Sequence, residues 1–93
     1  MTTDINATLK ERGSRYGKFS EHAEITMSLK KVLAIYVRRK GVGFLAYDQQ
    51  EALDMIFHKI GRIVNGDPDY VDSWHDIAGY AQLVVDRLNG EEH

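Results

Sequence analysis

From Ser20 to Leu88 the apolar residues of this chain recur at every third or fourth position, and alternation at every second position is nearly absent. Helices are therefore the regular structure it can build. Its single proline, Pro68, falls between two such stretches, and there is no cysteine to staple the chain in any other way. Ninety-three residues make one domain, residues 1–93, because a chain this short forms one hydrophobic core and hides only about 60–65% of its unfolded surface. Without disulfides or thiolate zinc sites, close helix packing or self-association must supply the remaining stability. The longest uncharged apolar run, Val32 to Val37, is six residues, against the roughly 20 that a bilayer demands. The Thr/Asp/Asn-rich start does not read as a signal peptide, so the expected setting is the cytoplasm, away from membranes.

The pattern predicts an all-α fold, a small bundle of three main helices plus a short N-terminal one. The short helix spans about Asp4 to Arg12, followed by a glycine-punctuated basic loop from Gly13 to Phe19. Ser20 is the expected N-cap of helix two, with Glu21 in its first turn to complement the dipole. This helix runs to about Arg39, and Ile25, Leu29, Val32, Leu33 and Tyr36 form one stripe at about 100° per residue. Gly41 and Gly43 break it, and Asp48-Gln49-Gln50-Glu51 has the form of a capping box for helix three, whose stripe is Leu53, Ile56, Phe57, Ile60, Ile63 and Val64. Asn65-Gly66 ends that helix, because both residues tolerate the left-handed conformation common past helix ends. Helix four opens near Asp69 and carries Trp74, Ile77, Ala78, Ala81, Val85 and Leu88 on its apolar side, with Trp74 expected in the core. The connection between helices three and four is only a few residues long, which makes them an antiparallel hairpin.

Charge is divided along the chain. Residues 1–40 carry nine Lys/Arg against four Asp/Glu, a balance of +5, and residues 41–93 carry three against ten, a balance of −7. Such a division suits a polyanionic ligand held together with a cation, and it equally suits steering between neighbouring subunits. With a net charge of −2 and acidic C-terminal helices, direct nucleic-acid binding is not expected.

The candidate chemistry sits on the hairpin. Glu51, Asp54, His58 and Arg62 share one side of helix three, and Asp72, His75 and Asp76 share one side of helix four. If these faces met across the hairpin or a subunit interface, their carboxylates would supply the hard oxygen ligands that Mg²⁺ takes alongside substrate phosphates. Both acidic faces lie nearly opposite the centre of their apolar stripes, so plain solvated charge accounts for the same pattern. His58 and His75, lying among acids, would have raised pKa values if close to them. His22, at the edge of the helix-two stripe, reads as a hydrogen-bonded residue at the border of the core. Arg12, Arg15, Tyr16 and Lys18 surround the start of helix two, where free amides favour anions, although the spacing Gly13 to Lys18 does not make a P-loop.

Arg12-Gly13-x-x-Tyr16-Gly17-x-Phe19, the run Glu51-Ala52-x-x-Met55-Ile56-x-His58-Lys59-Ile60-x-Arg62 to Asp67, and Asp72-Ser73-Trp74-x-Asp76-Ile77-Ala78-Gly79-Tyr80 resemble a family of small uncharacterised phage and prophage proteins. More distantly, the helix-three and helix-four pattern is similar to the MazG-like, all-α nucleoside triphosphate pyrophosphohydrolases. That resemblance implies a MazG-like bundle in a bacterial host cell, Mg²⁺ as cofactor, a nucleotide as ligand, and assembly into homodimers or homotetramers. It implies Glu51, Asp54, Asp72 and Asp76 as metal-binding and catalytic residues, with products of a nucleoside monophosphate and pyrophosphate. Asp72 stands four residues before Asp76 where the family has three, and Ser73 fills the matching position. Phosphates would fall to Arg12, Arg15, Lys18, Lys59 and Arg62, with Tyr16, His58 and His75 beside them. The alternative is a non-catalytic helical interaction protein that binds a host or phage partner.

Overall fold

The structure, a computed structural model, describes residues 4–93. Four helices account for the regular structure among the described residues: α1 (Ile5–Tyr16), α2 (Phe19–Lys40), α3 (Tyr47–Asn65) and α4 (Val71–Leu88). The all-α class and the α3/α4 hairpin are as the periodicity predicts. No described helix is long and apolar enough to cross a membrane.

Helix ends depart from the sequence reading in instructive ways. Asp4 caps α1 by accepting from the Ala7 amide at 3.2 Å. The helix then continues through Gly13 to Tyr16, so most of the expected basic loop is its last turn and only Gly17 and Lys18 separate it from α2. Lys18, and not Ser20, occupies the N-cap of α2, and no side chain caps that end. At α3 the Gln49 side chain accepts from the Ala46 amide at 2.9 Å, giving half of a capping box two residues earlier than expected. This frees Asp48 for a bidentate pair with Arg87, at 2.8 and 2.6 Å. Near α4, Asp67 accepts from the Asp69 amide at 2.9 Å, and the helix itself starts two residues later than Asp69, at Val71.

Two contacts fix how α4 lies along α3. Lys59 pairs with Asp76 at 3.0 Å and Asp48 pairs with Arg87, so the two helices run antiparallel with Ser73 buried between them. On the opposite side of α3, Gly61 opens a notch for α2. A Cβ there would stand 2.6 Å from Thr26 Oγ1 and 2.9 Å from the His22 ring. Lys59 and Gly61 are two residues apart, about 200° around the helix, and so they face nearly opposite directions. The result is a layer in the order α2, α3, α4. The outer two helices do not approach each other, and α1 lies across α2 and α3 at the turn end.

Because α2 and α4 both run antiparallel to α3, the helical phases of all three place their apolar stripes on the same side of this layer. The other side carries Glu51, His58 and Arg62 of α3 and Asp72 and His75 of α4. A single layer cannot seal a core. Ala52 is the one buried apolar residue among those described, and no large side chain is fully buried. Trp74, expected in the core, is 54% exposed, with its indole N–H donating to the Pro68 carbonyl at 2.8 Å. Val32, Tyr36, Val64, Val85 and Leu88 of the stripes are also exposed.

The notch at Gly61 makes a paired prediction. Gly61→Ala overfills the α2/α3 contact and lowers the unfolding free energy by about 1–3 kcal/mol. Gly79→Ala, on α4 with nothing within 4 Å of the new methyl, raises it by about 0.5–1 kcal/mol through helix propensity alone. Urea denaturation of the two variants checks both signs.

Candidate functional site

The polar side of the layer is built around the joint between α1 and α2. Asn65, at the end of α3, donates through Nδ2 to the carbonyls of Tyr16 and Lys18, both at 2.9 Å, and so holds the two-residue link from either side. Gly17 takes a φ of 76° there, and any side chain would strike Asn65. Gly66 is required for a different reason than the expected left-handed turn: its φ is −132°, and a Cβ would collide with the Arg15 backbone. The Asp67 amide donates to the Arg15 carbonyl at 2.7 Å, completing the lock between α1 and the α3/α4 turn.

Aromatic and cationic groups continue the joint outward. The Arg62 guanidinium lies 4.2 Å from the centre of the Tyr16 ring, and Tyr16 meets Tyr70 edge-to-face at 6.0 Å. Arg15 is taken up in the same network, donating to the Tyr70 hydroxyl at 2.9 Å and pairing with Glu11 at 3.2 Å. Tyr70 in turn donates to Asp72 at 3.0 Å.

Between these helices opens a cleft of about 660 Å³, lined among others by Arg12, Tyr16, Lys18, Phe19, His58 and Arg62. A smaller polar cleft of about 190 Å³ adjoins it, sharing Arg12, Tyr16 and Arg62 and adding Thr8, Arg15 and its ion-pair partner Glu11. Phe19 stands at the mouth, 80% exposed. Among the described residues no carboxylate forms an ion pair with Arg12, Lys18 or Arg62. Arg12, Lys18 and Arg62 around one cavity outnumber the carboxylates near them, Glu11 in the adjoining cleft and Asp76 within the field of Arg62, and make a positive focus in a chain of net negative charge.

The floor of the large cleft is a histidine pair. His22 Nε2 and His58 Nδ1 share a hydrogen bond of 3.2 Å, with the rings edge-to-face at 4.6 Å. His22 is buried and, as its place at the border of the stripe predicts, hydrogen-bonded. His58 does not lie among acids, and its expected upward shift is reversed. Burial, followed by the positive field of Arg62 and the neighbouring His22, Lys59 and Lys30, pushes its pKa down to about 4. Burial and Arg62 likewise lower His22, against a weak opposing pull from the Gly61 backbone. Both rings are neutral at pH 7 and offer neutral donors and acceptors instead of charge.

The acids are distributed rather than gathered. Lys59, expected among the phosphate contacts, is buried between α3 and α4, and its ammonium holds the half-exposed Asp76 carboxyl below its ordinary pKa. Asp72 sits near the turn under the Tyr70 hydroxyl, whereas Glu51 and Asp54 are exposed in the other half of α3, Asp54 lining a hollow with Lys30 of α2. The register set by Lys59–Asp76 and Asp48–Arg87 separates the two pairs along the hairpin. Among the described residues no three His, Asp or Glu side chains stand close enough to hold one metal ion. His75 is exposed on the same side of α4, beside a shallow hollow that it shares with Asp76, Gly79 and Tyr80. Sequence reasoning had no means to find the His22–His58 pair or the place of Phe19, since both depend on how α1 turns into α2.

The model of DUF6378, a domain of unknown function, matches residues 2–87. The chain belongs to the DUF6378 family. No curated protein and no solved structure matches it. The match spans all four helices, so the joint, the cleft and the hairpin belong to the DUF6378 domain itself.

The histidine pair sets a pH dependence. His58 binds a proton more readily unfolded, near pH 6.5, than folded, near 4. Its contribution to stability is full above pH 6.5 and is lost as pH falls through that window, by on the order of 2 kcal/mol after allowance for partial hydration. Proton NMR of the His58 ring should give a midpoint near 4, and thermal unfolding between pH 7 and 4 should show the loss, reduced in His58→Gln.

Proposed function

We propose that this DUF6378 chain binds a nucleotide, with its phosphates at the α1–α2–α3 corner. The observation that carries this reading is the focus of Arg12, Lys18 and Arg62 around one cleft, none of them held in an ion pair among the described residues. Guanidinium groups bind phosphate oxygens in a fixed fork, and the adjoining polar cleft, where Arg12, Arg15 and Arg62 surround Tyr16, has room for a phosphate group. Phe19 at the mouth offers a face for a planar base, and the neutral His22–His58 pair offers hydrogen bonds to a sugar or base edge.

Mg²⁺ enters this reading as part of the nucleotide complex. Asp54 lies two helical turns from Arg62, about 12 Å along the axis, with Glu51 one turn further. Both are exposed, so a phosphate chain running from Arg62 past His58 would bring its own metal toward them. Pyrophosphohydrolysis, the finer form of the proposal, needs further carboxylates, which a neighbouring copy or a rearranged Asp72 and Asp76 would have to contribute. A second reading, a helical interaction protein without catalysis, is favoured by the uncovered apolar side of the layer.

Calorimetric titration with nucleoside mono-, di- and triphosphates, with and without Mg²⁺, tests the binding. Arg62→Ala and Arg12→Ala should each weaken it by about 1.5–3 kcal/mol, roughly ten- to a hundredfold, while Gln82→Ala on α4 leaves it unchanged. Equal affinity in all variants, or no binding to any nucleotide, contradicts the site. Pyrophosphate release that disappears in Glu51→Gln and Asp54→Asn would extend the proposal to catalysis.

A further inference from the structure

The chain exposes more surface than one of this size keeps when it folds alone. The accessible area is 7237 Å² for 10.6 kDa, against about 5,500 Å² for a compact monomer of that mass. The Cα radius of gyration is 15.7 Å, where a compact chain of this length has about 12 Å. The excess, about 1,700 Å², exceeds the roughly 800 Å² per partner that a stable complex buries. Exposed apolar residues of the layer form a continuous face that contributes to it: Val32 and Tyr36 of α2 beside half-buried Ile25, the half-buried stripe of α3, and Trp74, Ala81 and Val85 of α4.

We propose that this face is the interface between two copies of the chain, packed layer to layer as a two-fold dimer of six principal helices. The face is self-complementary in charge as well as apolar. Glu21 and Arg39 stand at the same phase on the outer edge of the α2 stripe, about five helical turns apart, both exposed. A second α2 laid antiparallel across the first brings Glu21 of each copy to Arg39 of the other, at both ends of the crossing, and sets the helix dipoles in opposition. The same two-fold lays α4 on α4 and α3 on α3, so all three stripes are covered at once. The dimer leaves the cleft at the α1–α2–α3 corner open on its outer sides. The inference therefore stands apart from the nucleotide reading, and either can fail without the other.

Sedimentation equilibrium of the full chain at micromolar concentration should give twice 10.6 kDa. Val32→Glu and Ala81→Glu, at positions that the single layer already exposes, should shift it to monomer with the helical far-ultraviolet signal retained. Glu21→Arg should weaken the dimer about fivefold, and Glu21→Arg with Arg39→Glu should restore it. A wild-type chain that stays monomeric overturns the proposal, whether or not it then adsorbs to lipid vesicles. So does a dimer indifferent to Val32→Glu and Ala81→Glu, and failure of the double variant to recover overturns the antiparallel pairing.

Discussion

Everything in this fold depends on α3 being gripped from two opposite sides by helices that never touch each other. Gly61 lets α2 come close enough for Thr26 and His22 to meet the α3 backbone, and Lys59 reaches the other way to Asp76 on α4. These two contacts lie two residues apart on α3 and point in nearly opposite directions. They turn three amphipathic helices into a layer instead of a closed bundle, with every apolar stripe on one side and nearly all the distinctive polar chemistry on the other. A buried lysine costs much unless it is paired, so the Lys59–Asp76 contact also fixes the hairpin register with little tolerance for slippage.

That register decides what the acidic residues can do. A hairpin in which Lys59 faces Asp76 and Asp48 faces Arg87 keeps Glu51 and Asp54 away from Asp72 along the helix axes. The charge focus that does form is positive. It arises because α1 runs on to Tyr16 and folds back over α3 through a two-residue link, bringing the basic N-terminal residues onto Arg62. The division of charge along the sequence is thereby converted into a cationic corner at one end of the polar side and an acidic stretch at the other, an arrangement suited to an extended anion carrying its own metal.

Much of the fold was legible because it follows from periodicity. The apolar stripes of α2, α3 and α4 were read correctly as stripes, and Pro68 with a short connection implied the hairpin. What periodicity cannot show is whether a stripe meets a core within the same chain, and so the pattern puts Trp74 inside although it lies on the uncovered side. Helix ends were read from local capping chemistry, and tertiary contacts outweighed it: Asn65 and Gly66 carry α1 past Gly13, and Arg87 takes Asp48 from its expected capping role. In the candidate site, Arg12, Lys18, His58 and Arg62 were marked by residue type and helical side. The partnership of His58 with His22, and the commitment of Lys59 and Asp76 to one another, come from interhelical distances that no sequence pattern encodes.

The central claim is that the two sides of the layer do different work, the polar corner taking a ligand and the apolar side taking a protein surface. Amide chemical-shift mapping on titration with a Mg²⁺–nucleotide complex tests it most directly. The account predicts shifts concentrated at Arg12, Lys18, Phe19, His58 and Arg62, with Val32, Trp74, Ala81 and Val85 unmoved. Shifts centred on the apolar side, or none at the α1–α2–α3 corner at saturating nucleotide, would contradict it.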